Sequence, residues 1–314
     1  MLLRIEHLSK TYPNGTRALD DVSLSIAPGM FGLLGPNGAG KSTLMRIIAT
    51  LQEPDTGAVH LGEIDVLREK EAVRRTLGYL PQEFGVYPKV TAEDLLEHFA
   101  VLKGITSRDE RRRLVTALLE QTNLLNDRAK QLGGFSGGMR QRFGIAVALL
   151  GNPRLIIVDE PTAGLDPEER VRFLNLLAEL GQNSIVILST HIVDDVSELC
   201  SRVAIIDRGR IRLEDDPQAA VTRLHGRIWR RVVGRDELAR HQQEFAVLST
   251  KLLAGRTVVR VLSDTRPESG YELVEPLLED VYFAAMRVAH APGATPFASD
   301  ATAAPAFGSP AGGD

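Results

Sequence analysis

The chain has 314 residues, of which 43% are hydrophobic and 25% are charged, and its formal net charge is −4. This is the composition of an ordinary globular protein, with a length that corresponds to about two domains. Without a basic excess, nucleic acid is disfavoured as a principal partner. The single cysteine, Cys200, excludes an intrachain disulfide, and no apolar run approaches the roughly 18 residues of a membrane-spanning helix.

The predicted elements alternate between strands and helices along most of the chain. Residues 2–34 alternate short apolar runs with turn residues, and further strands are predicted at 58–61 and 77–80. Residues 92–150 have helical spacing. Strands and helices then alternate over 155–158, 167–180, 185–189, 193–199 and 203–206. This order predicts an α/β fold with a parallel sheet covered by helices.

The character of the sequence changes after about Pro217. Residues 227–233 and 257–262 are predicted strands, and residues 271–289 are a predicted amphipathic helix. We therefore predict a small α+β accessory domain over 217–290. The remainder, 291–314, is rich in Ala, Gly, Pro and Ser and is predicted to be a disordered tail.

A phosphate-binding pattern, G-x-x-x-x-G-K-S, lies between a strand-like run and a helix-like run. Glycines allow backbone N–H groups to point at phosphate oxygens, and the helix N-terminus adds a positive partial charge. Lys41 is expected to reach the β- and γ-phosphates, and the Ser42 hydroxyl is expected to ligate Mg²⁺. The predicted phosphate loop consists of Gly35, Pro36, Asn37, Gly38, Ala39, Gly40, Lys41, Ser42 and Thr43.

Two carboxylates, Asp159 and Glu160, follow the apolar strand 155–158. In a phosphate-loop ATPase the first carboxylate orients Mg²⁺, and the second acts as general base on the attacking water. In isolation, a strand that runs into a solvated acidic turn explains this pattern equally well. The phosphate loop upstream favours the ATPase interpretation.

A serine and two glycines, Ser136, Gly137 and Gly138, precede another helix-like run, which is predicted over 143–150. A hydroxyl group, exposed N–H groups and a helix N-terminus together form an anion site. A simple N-cap with a flexible turn is the alternative interpretation of the same residues. Two phosphate sites in one chain are explained if two copies face each other, so that each Ser-Gly-Gly turn closes on the ATP of the other copy.

In this order the motifs resemble the ATP-binding subunit of an ABC transporter, of the single-cassette type of bacterial drug, antibiotic and polymer exporters. The resemblance covers roughly residues 2–215. It implies a P-loop NTPase core with a parallel sheet, an antiparallel β subdomain and an inserted helical subdomain at about 88–150. The cassette would span residues 1–216, followed by the α+β appendage, and would bind ATP and Mg²⁺.

The resemblance also implies roles for individual residues. Gln82 is expected to contact Mg²⁺ or water, and His191 is expected to sense the γ-phosphate together with Glu160. Tyr12 is expected to stack on adenine. Asp166, at the end of the segment 163–166, is expected at the dimer interface. The implied catalytic set is Lys41, Gln82, Glu160 and His191, and the implied magnesium ligands are Ser42, Gln82 and Asp159.

The function implied by the resemblance is ATP hydrolysis in a head-to-tail homodimer that drives a transmembrane permease. Such a subunit is cytoplasmic and lies peripherally on the inner face of the cell membrane through the permease. We predict the permease contact between residues 82 and 96, with Phe84, Val86 and Tyr87 as candidates. The segments 86–91 and 278–282 are similar to those of exporter subunits and favour export.

The alternative is a soluble ABC ATPase that acts on the ribosome or on DNA. Ribosome-acting members usually carry two cassettes in one chain, whereas this sequence has one. DNA-acting members contain a long coiled coil within the cassette. The phosphate loop and the Ser136–Gly138 turn lie only about 100 residues apart, which leaves no room for such an insertion.

Overall fold

The computed structural model describes residues 1–82, 85, 87–162 and 165–288. The predicted disordered tail 291–314 lies outside the described residues, as do the last two residues of the predicted accessory domain. The same holds for Phe84 and Val86 of the predicted permease contact, and for Ala163 and Gly164 before Asp166.

Within these ranges the strands follow one another in chain order as β1 (Leu3–Thr11), β2 (Arg17–Ile26), β3 (Gly29–Leu34), β4 (Thr56–Leu61), β5 (Ile64–Asp65), β6 (Leu77–Leu80), β7 (Leu155–Asp159), β8 (Ile185–Thr190), β9 (Arg202–Asp207), β10 (Arg210–Asp215), β11 (Ile228–Val233), β12 (Val247–Leu253), β13 (Arg256–Leu262) and β14 (Glu272–Leu273). The helices are α1 (Lys41–Ile48), α2 (Lys70–Thr76), α3 (Ala92–Leu102), α4 (Arg108–Gln121), α5 (Gly137–Ala148), α6 (Pro167–Gly181), α7 (Val193–Leu199), α8 (Pro217–Thr222), α9 (Leu238–Glu244) and α10 (Leu278–Val288). Two single 3₁₀ turns lie at Leu125–Asp127 and Leu132–Gly134.

The central sheet has six strands in the order β10-β9-β3-β8-β7-β6. Strands β9, β3, β8, β7 and β6 are parallel, and β10 is antiparallel to β9 at one edge. A second sheet, β2-β1-β4-β5, is antiparallel. The predicted α/β fold with its parallel sheet and antiparallel β subdomain is therefore confirmed.

The two faces of the central sheet contribute to two hydrophobic cores because side chains alternate along each strand. In β8, Ile187 packs with α1 and the antiparallel sheet, whereas its neighbour Leu188 packs with the helices of the opposite layer. The parallel strands are thus covered on both faces, as expected for continuous apolar runs. The carboxyl ends of β3, β7 and β8 carry the phosphate loop, Glu160 and His191.

The inserted helical region lies between β6 and β7 and contains α3, α4 and α5. Each helix begins at a hydroxyl side chain that accepts a hydrogen bond from a backbone N–H: Thr91 from Asp94, Ser107 from Glu110 and Ser136 from Met139. Such caps satisfy N–H groups that the first helical turn leaves unpaired. The predicted helix at 143–150 was wrong at its start, because Ser136 already caps the helix.

The C-terminal region forms a third sheet, β12-β13-β11-β14, which is antiparallel. The prediction of one helix over 271–289 was wrong at its N-terminal end. Residues Glu272 and Leu273 form β14 against β11, and α10 begins only at Leu278. Pro276 explains the break, since proline disfavours helical geometry in the residue before it. Strands β5, β10 and β12 and helices α2, α8 and α9 were not predicted.

Helix α10 packs against the cassette rather than against the third sheet alone. Its buried residues Leu278, Val281 and Ala284 belong to the same hydrophobic core as Val196 of α7. The third sheet has, in addition, a small core of its own that includes Val259 and Tyr271. A substitution at a buried residue of α10 is therefore expected to change the stability of the cassette.

We predict that Leu278→Ala destabilises the cassette, whereas Leu277→Ala does not. Leu278 is 3% exposed in the shared core, while the adjacent Leu277 is 51% exposed. Loss of a buried leucine side chain costs about 2–5 kcal/mol of unfolding free energy. Urea unfolding followed by circular dichroism would test this. Equal stability of the two variants would contradict the shared core.

Candidate active site

The phosphate loop joins the end of β3 to the beginning of α1. Gly38 and Gly40 have φ angles of 78° and 112°, a region that side chains rarely adopt. A Cβ at Gly40 would, in addition, collide with the Ala18 carbonyl oxygen. Among the described residues no side chain caps α1, and its first turn carries no acidic residue. The backbone N–H groups of this helix end are thus available to an anion.

Lys41 lies at the start of α1 and is 5% exposed. Its Nζ donates hydrogen bonds to the carbonyl oxygens of Gly35, at 2.6 Å, and Pro36, at 3.2 Å. Burial lowers the pKa of Lys41, and the nearby carboxylates Glu160 and Asp159 oppose that shift. A cation is therefore fixed against the phosphate loop, where a phosphate group would meet it.

Glu160 is the point on which the predicted catalytic residues converge. Its Oε1 lies 3.1 Å from His191 Nδ1 and 3.9 Å from Lys41 Nζ. Its Oε2 accepts a hydrogen bond of 3.4 Å from Gln82 Nε2. Three residues that are far apart in the sequence thus contact one carboxylate.

The backbone of Glu160 is strained. Its φ angle is 49°, which is unfavourable for a residue with a side chain, and such a conformation costs about 1–3 kcal/mol. Its N–H donates to the Ser189 carbonyl oxygen at 2.7 Å, which anchors it to the neighbouring strand β8. Strain of this kind persists where surrounding contacts determine the geometry, and it concentrates at functional sites.

Asp159 precedes Glu160 at the end of β7 and is 4% exposed. Within the part of the chain that the structure describes, its Oδ1 is buried without a hydrogen-bond partner. A buried carboxylate oxygen without a partner is costly unless a ligand satisfies it. With the Ser42 hydroxyl and the Gln82 amide oxygen, it provides the hard oxygen donors that Mg²⁺ prefers. The residues therefore fit a magnesium ion.

A cavity of ≈ 410 Å³ opens over the phosphate loop. Its lining contains most of the residues predicted to bind nucleotide, together with Thr16 and Ala18, which were not predicted. Tyr12 is held at the cavity by its hydroxyl group, which lies 3.1 Å from Thr43 Oγ1 and donates to Gln52 Oε1 at 3.2 Å. The lining residues are Tyr12, Thr16, Ala18, Pro36, Asn37, Gly38, Ala39, Gly40, Lys41, Ser42, Thr43, Gln82 and Glu160.

The Ser136–Gly138 turn is not part of this lining. Ser136 and Gly137 are exposed, and the Ser136 hydroxyl accepts a hydrogen bond from the Met139 N–H at 3.2 Å. Gly138 is buried against the carboxylate of Glu169 on α6. Glu169 in turn forms an ion pair of 2.7 Å with Arg142. The turn thus lies outside the cavity lining of its own chain and rests on α6.

Asp166 caps α6 by accepting a hydrogen bond of 2.8 Å from the Glu169 N–H, and it is exposed. Because Glu169 also touches Gly138, the two elements predicted at a dimer interface adjoin each other. The Arg142–Glu169 pair was not predicted. Residues 27 positions apart on different helices leave no periodic signal in the sequence.

Sequence comparison agrees with this geometry. The sequence profile of the ABC transporter family matches residues 19–163. The ABC transporter ATP-binding protein YxlF of Bacillus subtilis is 37% identical over 218 residues, which cover 69% of this chain and 72% of that protein. The chain belongs to the ABC transporter family.

Two further comparisons support membership of the ABC family. The linearmycin resistance ATP-binding protein LnrL of Bacillus subtilis is 35% identical over 67% of this chain and 68% of that protein. A solved dimeric ATP-binding cassette in a post-hydrolysis state, bound to ADP and Pi, matches with a TM-score of 0.63 at 30% identity. That match covers 68% of this chain and 98% of the other.

The predicted family, the predicted P-loop NTPase fold and the predicted ATP hydrolase are therefore confirmed. The chain is an ATP-binding subunit of an ABC transporter and hydrolyses ATP. In the described ranges, no helix has the length and apolar character needed to cross a membrane.

We predict that Gly138→Ala destabilises the chain and that Gly137→Ala does not. A Cβ at Gly138 would overlap the Glu169 carboxylate, whereas a Cβ at Gly137 meets no atom within 4 Å among the described residues. Forced repacking costs about 1–3 kcal/mol of unfolding free energy. Thermal unfolding of the two variants measures the difference. Identical melting temperatures would show that Gly138 does not rest on Glu169.

Proposed function

We propose that two copies of this subunit bind two ATP molecules head-to-tail, and that hydrolysis opens the dimer and drives a permease in export. The convergence of Lys41, Gln82 and His191 on Glu160 carries this proposal. Lys41 provides a positive charge for a phosphate group, and Glu160 provides a carboxylate for proton transfer. Gln82 and His191 are the polar groups that hold this carboxylate in place. In-line attack of water on a γ-phosphate requires these groups together.

In the proposed mechanism, Glu160 accepts the proton of the attacking water as general base. His191 and Gln82 orient the Glu160 carboxylate and the water. Lys41 would leave the carbonyl oxygens of its own loop for the β- and γ-phosphates. Ser42, Asp159 and Gln82 would hold Mg²⁺, which when bound supplies positive charge to the phosphate oxygens.

The second copy would complete the site through its Ser136–Gly138 turn. Ser136 and Gly137 are exposed at the N-terminus of a helix of 12 residues, a favourable position for an anion. Because the turn does not line the cavity of its own chain, it suits ATP held by a partner. The similarity to a solved dimeric cassette supports this arrangement.

A partly apolar groove of ≈ 400 Å³ between the central sheet and the helical region suits a permease. Leu51 and Leu102 at its mouth are 61% and 68% exposed, and Phe99 and Tyr79 lie deeper. Tyr79 belongs to β6, three residues before Gln82, so that a helix seated in the groove would contact the strand that leads to the active site. Tyr87, a candidate in the contact predicted between residues 82 and 96, is 65% exposed.

A permease partner would place the subunit at the membrane, and similarity to a resistance protein favours export. LnrL, which is similar to this chain over most of its length, is a linearmycin resistance protein. We infer that the subunit serves an exporter of an antibiotic-like or polymeric cargo. It would lie in the cytoplasm, peripherally on the inner face of the membrane through its permease.

We predict that Glu160→Gln slows ATP hydrolysis by about 10²–10⁴-fold, because the amide cannot accept the proton of water. ATP binding should persist, and the closed dimer should live longer. Steady-state phosphate release and equilibrium ATP binding are the measurements. Glu168→Gln, which removes an exposed carboxylate on α6, is the matched control and should turn over normally. Normal turnover in Glu160→Gln would disprove the proposed base.

We predict that Leu102→Glu weakens co-purification with the proposed membrane permease. A carboxylate in the apolar groove is costly to bury, whereas hydrolysis by the isolated subunit should not change. Val101→Glu is the control, because Val101 is exposed on the same helix but does not line the groove. Undiminished co-purification would contradict the groove assignment, and ATPase activity stimulated by RNA would favour a ribosome-acting protein.

A further inference from the structure

Asp195, on α7, is a fully buried carboxylate that has no role in the mechanism described above. It accepts a hydrogen bond of 2.6 Å from Thr162 Oγ1. It also forms a two-pronged ion pair with Arg170, whose Nε donates to it at 2.8 Å. A buried charge is tolerated only when it is paired and hydrogen-bonded in this way.

The two partners of Asp195 belong to the segments that carry the proposed site. Thr162 is buried and follows Glu160 by two residues. Arg170 lies on the first turn of α6, which Asp166 caps. Asp195 itself follows His191 by four residues. One carboxylate thus joins the segment of the proposed base, the helix of the proposed interface residue and the segment of the proposed γ-phosphate sensor.

Arg170 supplies the positive charge at this junction. Hydrogen bonding to Asp195 raises the pKa of Arg170, so that its guanidinium group keeps its charge. Burial, and secondarily the charge of Asp195, raises the pKa of the neighbouring Cys200 thiol to about 12. The thiol is therefore neutral, and Arg170 is the cation that balances Asp195.

Glu160 needs such support because its backbone is strained. Upstream, the strand β7 and the bond from the Glu160 N–H to Ser189 hold it in place. Downstream, Thr162 is held to α7 by its hydroxyl group. Among the described residues, no other hydrogen bond ties the turn after Glu160 to the segment of His191. If the Thr162 bond is lost, the 3.1 Å contact between Glu160 and His191 can therefore loosen.

We propose that Asp195 is a positioning residue for ATP hydrolysis. It acts through Thr162 and Arg170 to hold the side chains of Glu160 and His191 in their relative positions. This inference rests on the proposed roles of those two residues. Asp195 touches neither nucleotide nor water in this account. A misplacement of about 1 Å in a reacting group can cost about 10²-fold in rate, so a remote contact of this kind can affect kcat.

The test uses the full chain with the variants Asp195→Asn, Thr162→Val and Thr162→Ser. Asp195→Asn removes the charge, and Thr162→Val removes the hydroxyl group but leaves the Arg170 pair intact. We expect both to lower kcat by about 10–100-fold with less than about a 3-fold change in the KM for ATP. Thr162→Ser keeps the hydroxyl group and should retain most of the wild-type kcat.

Asp194→Asn is the matched control, because Asp194 is the exposed neighbour of Asp195 on the same helix. It should hydrolyse ATP at the wild-type rate. Melting temperatures are measured in parallel, so that kcat is compared well below unfolding. Should Asp195→Asn fail to fold, the comparison of Thr162→Val with Thr162→Ser decides the question.

Two outcomes would overturn the inference and can be told apart. If Asp195→Asn and Thr162→Val melt earlier but retain wild-type kcat, while Glu160→Gln is slow, Asp195 is only a structural ion pair and the proposed function stands. If Glu160→Gln itself turns over normally, the proposed base is wrong and the inference fails with it.

Discussion

The proposed active site depends on one carboxylate, Glu160, at the carboxyl end of a buried parallel strand. A partly buried carboxylate would be costly alone, but Lys41, His191 and Gln82 surround it and offset that cost. Each of these contacts comes from a different loop at the same edge of the sheet. The order of the strands, with β8 between β3 and β7, is what brings these loops together.

This arrangement follows a general property of open α/β sheets, whose ligands bind at the carboxyl ends of the strands. Here the β3 loop contributes the phosphate-binding backbone, the β7 end contributes the two carboxylates and the β8 end contributes the histidine. The alternating side chains of the same strands form the two cores. Packing on both faces therefore fixes the positions of polar groups that lie outside the cores.

The sequence was sufficient to predict the parallel sheet and the phosphate loop, because buried strands and glycine-rich turns have strong local patterns. It was insufficient for β12, whose last four residues are exposed, and for α9, a short helix whose buried residue is His241. The pairing of His191 with Glu160 was expected from the family resemblance, not from spacing. The contacts of Lys41 and Gln82 with the same carboxylate were not expected. The Asp195–Thr162 and Arg142–Glu169 contacts join distant parts of the chain, and nothing in the local pattern of either partner indicates the other.

The shared core of α10 and α7 has a consequence for exchanging the C-terminal region between related subunits. Val281 and Ala285 of α10 lie in one apolar cluster with Val196 and Cys200 of α7. A chimera that replaces residues after β10 would bring a foreign α10 against a native α7. The buried face of α7 would have to be transplanted together with the new C-terminal region for the hybrid to assemble its nucleotide site.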